Sequence, residues 1–210
     1  MPTTETFSTP HDAAEGYLEL RRGGTHITIR AGGSNALCRA RFWGATPRAD
    51  ARGGRVSIEY PRLSLAGLFR HPAHRAEIEL SPTLPWSIAV HGGLGDSSLD
   101  LRGLELRDFQ LAGGASVLRL MLPIARGTVR VRIEGGATKL TLLRPRGVAA
   151  VLRILGEGSR LAFDGERYGS IGAETRLETA NADSVQDRYE IEIAGGASEL
   201  TISEHDESDE

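Results

Sequence analysis

Apolar and polar residues alternate one by one over most of this chain. The first part holds Tyr17-Leu-Glu-Leu20, His26-Ile-Thr-Ile29, Ala36 to Phe42, Val56-Ser-Ile-Glu-Tyr60 and Ala76-Glu-Ile-Glu-Leu80. Further on come Trp86-Ser-Ile-Ala-Val90, Phe109-Gln-Leu111, Val129-Arg-Val-Arg-Ile133, Val151-Leu-Arg-Ile154 and Tyr189-Glu-Ile-Glu-Ile193. A period of two marks a half-buried strand, because successive side chains point to opposite faces. Apolar residues at helical spacing are almost absent, so helices are not expected. Pro61 to Arg75 and Glu174 to Gln186 lack the alternation and read as loops.

A double glycine followed by a second short strand recurs behind these segments. GGLGDSSLDL starts at Gly92, GGASVLRL at Gly113, GGATKLTL at Gly135 and GGASELTI at Gly195, with a degenerate GEGSRLAF at Gly156. The starts lie 21, 22 and 21 residues apart, then 39. Leu122-Pro-Ile-Ala-Arg-Gly127 and Arg144-Pro-Arg-Gly147 form the corners between units. A strand of a few residues cannot bury its apolar face alone, but equivalent strands stacked about 4.8 Å apart bury a continuous ladder. Glycine removes Cβ atoms at a corner and supplies positive φ there. The pattern predicts an all-β chain: a parallel β-helix-like β-solenoid with about 22 residues per turn. Residues 1–80 read as an irregular β half that caps the stack, 81–203 as regular repeats, and 204–210 as a disordered acidic tail. One core is expected from Leu118, Leu120, Ile133, Leu140, Leu142, Leu161, Ile191, Ile193, Leu200 and Ile202.

Composition changes this picture little. Glycine, at 26 of 210 residues, fits many tight corners, and aromatics at 5% are scarce. The lone Cys38 cannot form an intramolecular disulfide; it sits within an alternating run and reads as an inert strand residue in a reducing compartment. The first sixteen residues hold neither an apolar run nor a basic start, and no stretch approaches eighteen apolar residues. The expectation is a cytoplasmic chain with no membrane span.

Candidate chemistry is sparse. GGLGD at Gly92 leads into a strand, whereas phosphate-binding glycine loops lead into a helix, so it reads as a corner. His71 and His74 have metal-ligand spacing, but arginines flank them and no carboxylate or cysteine pair completes a set. Asp96 and Asp100 lie near a corner as solvated strand positions, and Asp164-Gly165 has the composition of a tight turn. No catalytic constellation and no cofactor site emerge. Charge is the one uneven feature: residues 102–163 carry eleven basic and four acidic side chains, residues 164–210 three basic and fourteen acidic. Outward positions stack in a solenoid, so Arg119, Arg130, Arg132, Arg144, Arg146 and Arg153 are expected in one exposed basic stripe. Such a stripe suits solubility or an anionic partner. Nucleic acid is disfavoured because stacking aromatics are missing beside the arginines.

The runs WSIAVHGG, LRGLELRDFQLAGGAS, LPIARGTVRVRIEGGAT, LTLLRPRGV and DRYEIEIAGGASELTI resemble the toast-rack, adhesin-like β-solenoid domains of bacterial proteins, including the LiaF-like envelope-stress proteins. The resemblance covers about Pro85 to Ile202, with a weaker match to the N-terminal half, and implies a fold without bringing a catalytic residue. The expected role is a non-enzymatic interaction or scaffold module with a protein partner. Binding of an anionic ligand or polysaccharide through the stripe is the alternative, and a solenoid hydrolase or lyase the third. The free edge after Glu199-Leu-Thr-Ile202 is expected to be guarded by the acidic tail, giving a monomer or a weak dimer.

Overall fold

The computed structural model describes residues 3–7, 13–33, 36–61 and 74–205. Within them every alternating segment is a strand, and from β7 to β15 consecutive strands go to different sheets. The first part comprises β1 (Thr3–Phe7), β2 (Gly16–Arg21), β3 (His26–Ala31), β4 (Cys38–Trp43), β5 (Arg48–Arg52), β6 (Arg55–Glu59) and β7 (Arg75–Leu80). Then follow β8 (Pro85–His91), β9 (Leu94–Asp100), β10 (Glu105–Leu111), β11 (Ala115–Met121), β12 (Thr128–Ile133) and β13 (Ala137–Pro145). The last are β14 (Ala149–Ile154), β15 (Leu161–Phe163), β16 (Glu166–Tyr168), β17 (Thr175–Glu178), β18 (Arg188–Ile193) and β19 (Ala197–His205). No helix among the described residues is long and apolar enough to cross a membrane.

The strands make a ten-stranded and a nine-stranded sheet, and a strand of the nine followed by one of the ten forms a coil. Parallel register stacks the coils into ladders. In the ten-stranded sheet Ile78, Ile29, Leu99, Leu120, Leu142, Ile202 and Phe163 face one another in turn. In the nine-stranded sheet Val56, Leu18, Ile88, Phe109, Val131, Ile191 and Leu152 do the same. The inner faces meet in one core, which holds all ten of the residues expected there. Ser97 takes a core position beside Leu118, and its hydroxyl accepts the backbone N–H of Ile27 at 3.1 Å. The fold is thus the all-β solenoid read from the repeats, with two corrections.

The first concerns order. The repeat spacing leads to a stack closed by the copy at Gly195. In space the coils instead run β6/β7, β2/β3, β8/β9, β10/β11, β12/β13, β18/β19, β14/β15. The β18/β19 coil is intercalated, and the degenerate copy at Gly156 lies outside it. Charge is complementary in this order: Glu190, Glu192 and Glu199 enter beside Arg130, Arg132 and Lys139, at 3.8, 3.0 and 3.4 Å. The edge after Ile202 is therefore paired on both sides, and Glu204 and His205, expected in a disordered tail, continue β19. Antiparallel strands close the stack: β4 and β5 on β7 and β6 at one end, with β1 beyond β4, and β16 and β17 on β15 and β14 at the other. β17 arises within the stretch read as a loop, and β1, β5 and β16 are short, largely polar strands without a clear apolar alternation.

The second correction concerns the glycines. The pairs at Gly113, Gly135 and Gly195 have no positive φ. Their first members are needed for close approach: a Cβ on Gly113, Gly135 or Gly195 would lie within 3 Å of the backbone of the preceding corner in the stack, at Gly92, Gly113 and Gly135 respectively. Asp164 and Gly165, with φ of 48° and 89°, make the tight turn between β15 and β16.

Candidate functional site

Outward residues of neighbouring strands form rows across each sheet, and one row of the nine-stranded sheet is unbalanced. It runs Gln110, Arg132, Glu192, Arg153, Arg176 across β10, β12, β18, β14 and β17. The adjacent row runs Asp108, Arg130, Glu190, Val151, Glu178. The chain from β17 to β18 crosses over this face, seating Ala182 and Val185 on Ala149 and Val151. Together they bound a groove of about 210 Å³ lined by Arg130, Arg132, Arg153, Arg176 and Arg188, with Asp183, Glu190 and Glu192.

Most of these arginines are committed. Arg132 Nε lies 3.0 Å from Glu192, and Arg176 Nη2 lies 2.5 Å from Glu178. Arg188 donates from Nη1 to the carbonyls of Ala182 and Val185, at 3.2 and 3.3 Å, and from Nη2 to Glu190 at 3.1 Å. Arg188 is thus the post that holds the crossing segment. Arg153 makes no ion pair or hydrogen bond among the described residues and faces Arg176 directly across β14 and β17. Like charges directly opposite on antiparallel strands are destabilising. A guanidinium pair with one member unpaired is therefore a place where an anion gains more than elsewhere on this surface.

The six arginines expected in one stripe do not share a face. Arg130, Arg132 and Arg153 line the groove. Arg119 projects from β11 on the other sheet, exposed. Arg146 lies at the exposed corner after β13. Arg144 is buried, 2.6 Å from Asp164 and 3.2 Å from Glu204, and ties the end of β13 to the β15–β16 turn and the end of β19. Burial holds the Asp164 carboxyl above its usual range and outweighs the attraction of Arg144. Arg144 continues the inward phase of Leu140 and Leu142 in β13, so the alternation itself turns it inside. Arg176 and Arg188 escaped the sequence reading because they lie in the acidic segment. The short alternation Thr175-Arg-Leu-Glu178 is the signal for Arg176, and Arg188 stands directly before the alternating run Tyr189 to Ile193.

The other candidates resolve into structure. Asp100 is clasped by Arg102, Nε at 2.9 Å and Nη2 at 2.8 Å, and this hydrogen bonding holds its carboxyl below the usual 3.8. His74 stacks on Tyr60 with ring centroids 4.7 Å apart, while His71 lies outside the described residues. Cys38 is fully buried, and burial, with Glu79 nearby, pushes its thiol up to about 12, which leaves it inert at neutral pH. Among the described residues no three His, Cys, Asp or Glu side chains are placed to hold a metal ion.

The family model for the N-terminal domain of toast_rack, DUF2154, matches residues 3–143. No curated protein matches the chain. Among solved structures, a proposed cell adhesion protein of Clostridium sporogenes is similar over 98% of this chain and 99% of its own, at 18% identity and a TM-score of 0.72. A proposed adhesin of Bacteroides fragilis aligns over 98% of this chain and 97% of its own, at 11% identity and a TM-score of 0.34. At such identities the first comparison bears on the fold alone.

Proposed function

The chain belongs to the toast-rack family, and we propose that it is a non-enzymatic interaction module that holds an acidic segment of a partner protein against its nine-stranded sheet. The observation that carries this reading is Arg153, without a counter-ion among the described residues and facing Arg176, in a groove roofed by the segment that Arg188 fastens. Glu190 and Glu192 are each paired with arginine. Acidic residues beside the guanidiniums, Glu178 and Asp183 among them, favour a discrete acidic segment over a long uniform polyanion such as a polysaccharide, which they would repel. The cell adhesion designation of the Clostridium sporogenes protein agrees with a binding role.

The test uses the full chain and a labelled peptide with two adjacent glutamates among neutral residues, with anisotropy read at low and moderate salt. Arg153→Glu and Arg176→Glu should each weaken binding about tenfold, roughly 1.4 kcal/mol, and salt should weaken the wild type. Arg119→Glu, on the opposite sheet, should leave it unchanged. Equal losses in all three variants would reduce the groove to general surface charge and overturn the reading.

A further inference from the structure

The intercalated coil occupies a slot whose two walls match each other. Arg130 on one wall and Val151 on the other both face Glu190; Arg132 and Arg153 both face Glu192; Leu140 and Leu161 both face Leu200. In each case the two wall residues are 21 apart in sequence, the step that separates the facing residues Leu99 and Leu120 of consecutive coils. The walls therefore carry the register of direct neighbours. β14/β15 can close onto β12/β13 when β18/β19 is out, at the cost of setting Arg132 against Arg153.

The connection to the coil is fastened by side chains and turns rather than by strand pairing: Arg188 donates to the carbonyls of Ala182 and Val185, Asp187 accepts the Gly127 N–H and Thr179 accepts the Ala150 N–H. Residues 179–187 hold no strand, and their apolar anchorage is Ala182 and Val185 on Ala149 and Val151. What recognises the coil once it arrives is backbone pairing along both edges and four acidic residues. Glu190, Glu192 and Glu199 meet Arg130, Arg132 and Lys139, and Glu204 meets Arg144 at 3.2 Å. None of these contacts depends on the coil belonging to the same chain.

We infer that the slot between β12/β13 and β14/β15 accepts the β18/β19 coil of a second copy of this chain, giving a strand-exchanged dimer. Its partner is fixed by chemistry: an acidic two-strand coil with glycine at the corner, because a Cβ at Gly195 would strike the backbone of Gly135. Exchange of an identical element between copies keeps every native pairing and adds no strained contact, which makes it a low-cost route to dimers. The inference stands apart from partner binding in the groove, since it needs neither Arg153 nor Arg176.

Two full-length variants test it, Thr141→Cys and Thr201→Cys, both (and the control below) with the native Cys38 changed to Ala, mixed, unfolded, refolded together and oxidised. Thr141 and Thr201 face each other across β13 and β19, within the reach of a disulfide. Each chain carries one of the two cysteines, so a disulfide between them forms where β19 of one copy lies beside β13 of another. The expected result is a covalent heterodimer in several times the yield given by Thr28→Cys mixed with Thr201→Cys. Equal yields in the two mixtures overturn the inference. A second arm mixes Arg130→Glu/Arg132→Glu with Glu190→Arg/Glu192→Arg, each mismatched within itself and matched to the other. Sedimentation should show a 1:1 species of twice the chain mass in the mixture, and a monomer when all four changes share one chain. A mixture that stays monomeric while the four-fold variant refolds overturns it as well.

Discussion

A single methyl group separates the two roles glycine plays in this stack. A Cβ on Gly135 would fall within 3 Å of the backbone of Gly113 and Gly114, whereas one on Gly136 would meet its nearest atom, the carbonyl oxygen of Gly196, at 3.4 Å. Gly135→Ala should therefore destabilise by roughly 1–3 kcal/mol, as overpacking does, and Gly136→Ala should be close to neutral; urea midpoints of the two variants decide. Leu140, buried between Leu118 and Leu200, should cost about 2–5 kcal/mol on truncation to Ala, read from the same titration. Asp100 supplies a pH signature. Its folded carboxyl titrates below 3.8, so its contribution to stability is present above that value and is lost as pH falls through the folded one. The melting temperature of Asp100→Asn should fall less steeply than wild type between neutral pH and about pH 3.

Strands were legible wherever alternation is strict, and the core followed from them: in β12, β13, β18 and β19 each expected leucine and isoleucine points inward. Illegible were the elements whose reason lies in a neighbour. β5 reads Arg-Ala-Asp-Ala-Arg and pairs because β6 offers an edge; β17 has one apolar residue, Leu177, that meets Leu152. The basic stripe failed for a related reason. A repeat distributes its residues over two sheets and the corners, so nearness in sequence sent Arg119 to one sheet and Arg153 to the other, while Arg144 shares the inward phase of Leu140 and Leu142. As the clamp between β13, β19 and the β15–β16 turn, Arg144 is more than surface charge. Arg144→Ala should cost about 1–3 kcal/mol, the scale for unpairing hydrogen-bonded charged groups that water partly rescues, and Arg119→Ala less than about 0.5 kcal/mol; chemical denaturation of the pair checks the ranking.

Across the whole molecule, position in the stack and position in the sequence disagree, and amide exchange can tell which governs stability. Protection should rise from the end strands β16 and β17 toward the middle of the stack, so β18 and β19, though last in sequence, should exchange more slowly than β14 and β15. The opposite ranking would mean that the intercalated coil opens first. The uneven charge along the chain is then a signature of topology: the acidic segment sits between basic ones, and the sequence displays as asymmetry what the fold cancels locally. Intercalation also bears on how the protein is made. A ribosome adding roughly 5–20 residues per second needs several seconds to travel from Pro145 to Arg188, and during that time the edge of β12/β13 away from β10/β11 has only the wrong neighbour, β14/β15, to stack upon. Chains interrupted before Ile193 would keep Arg132 against Arg153 and an unfinished centre. Completion of translation thereby becomes a condition for a settled stack, and a protease that reads loose strands can distinguish finished from unfinished copies without recognising any sequence.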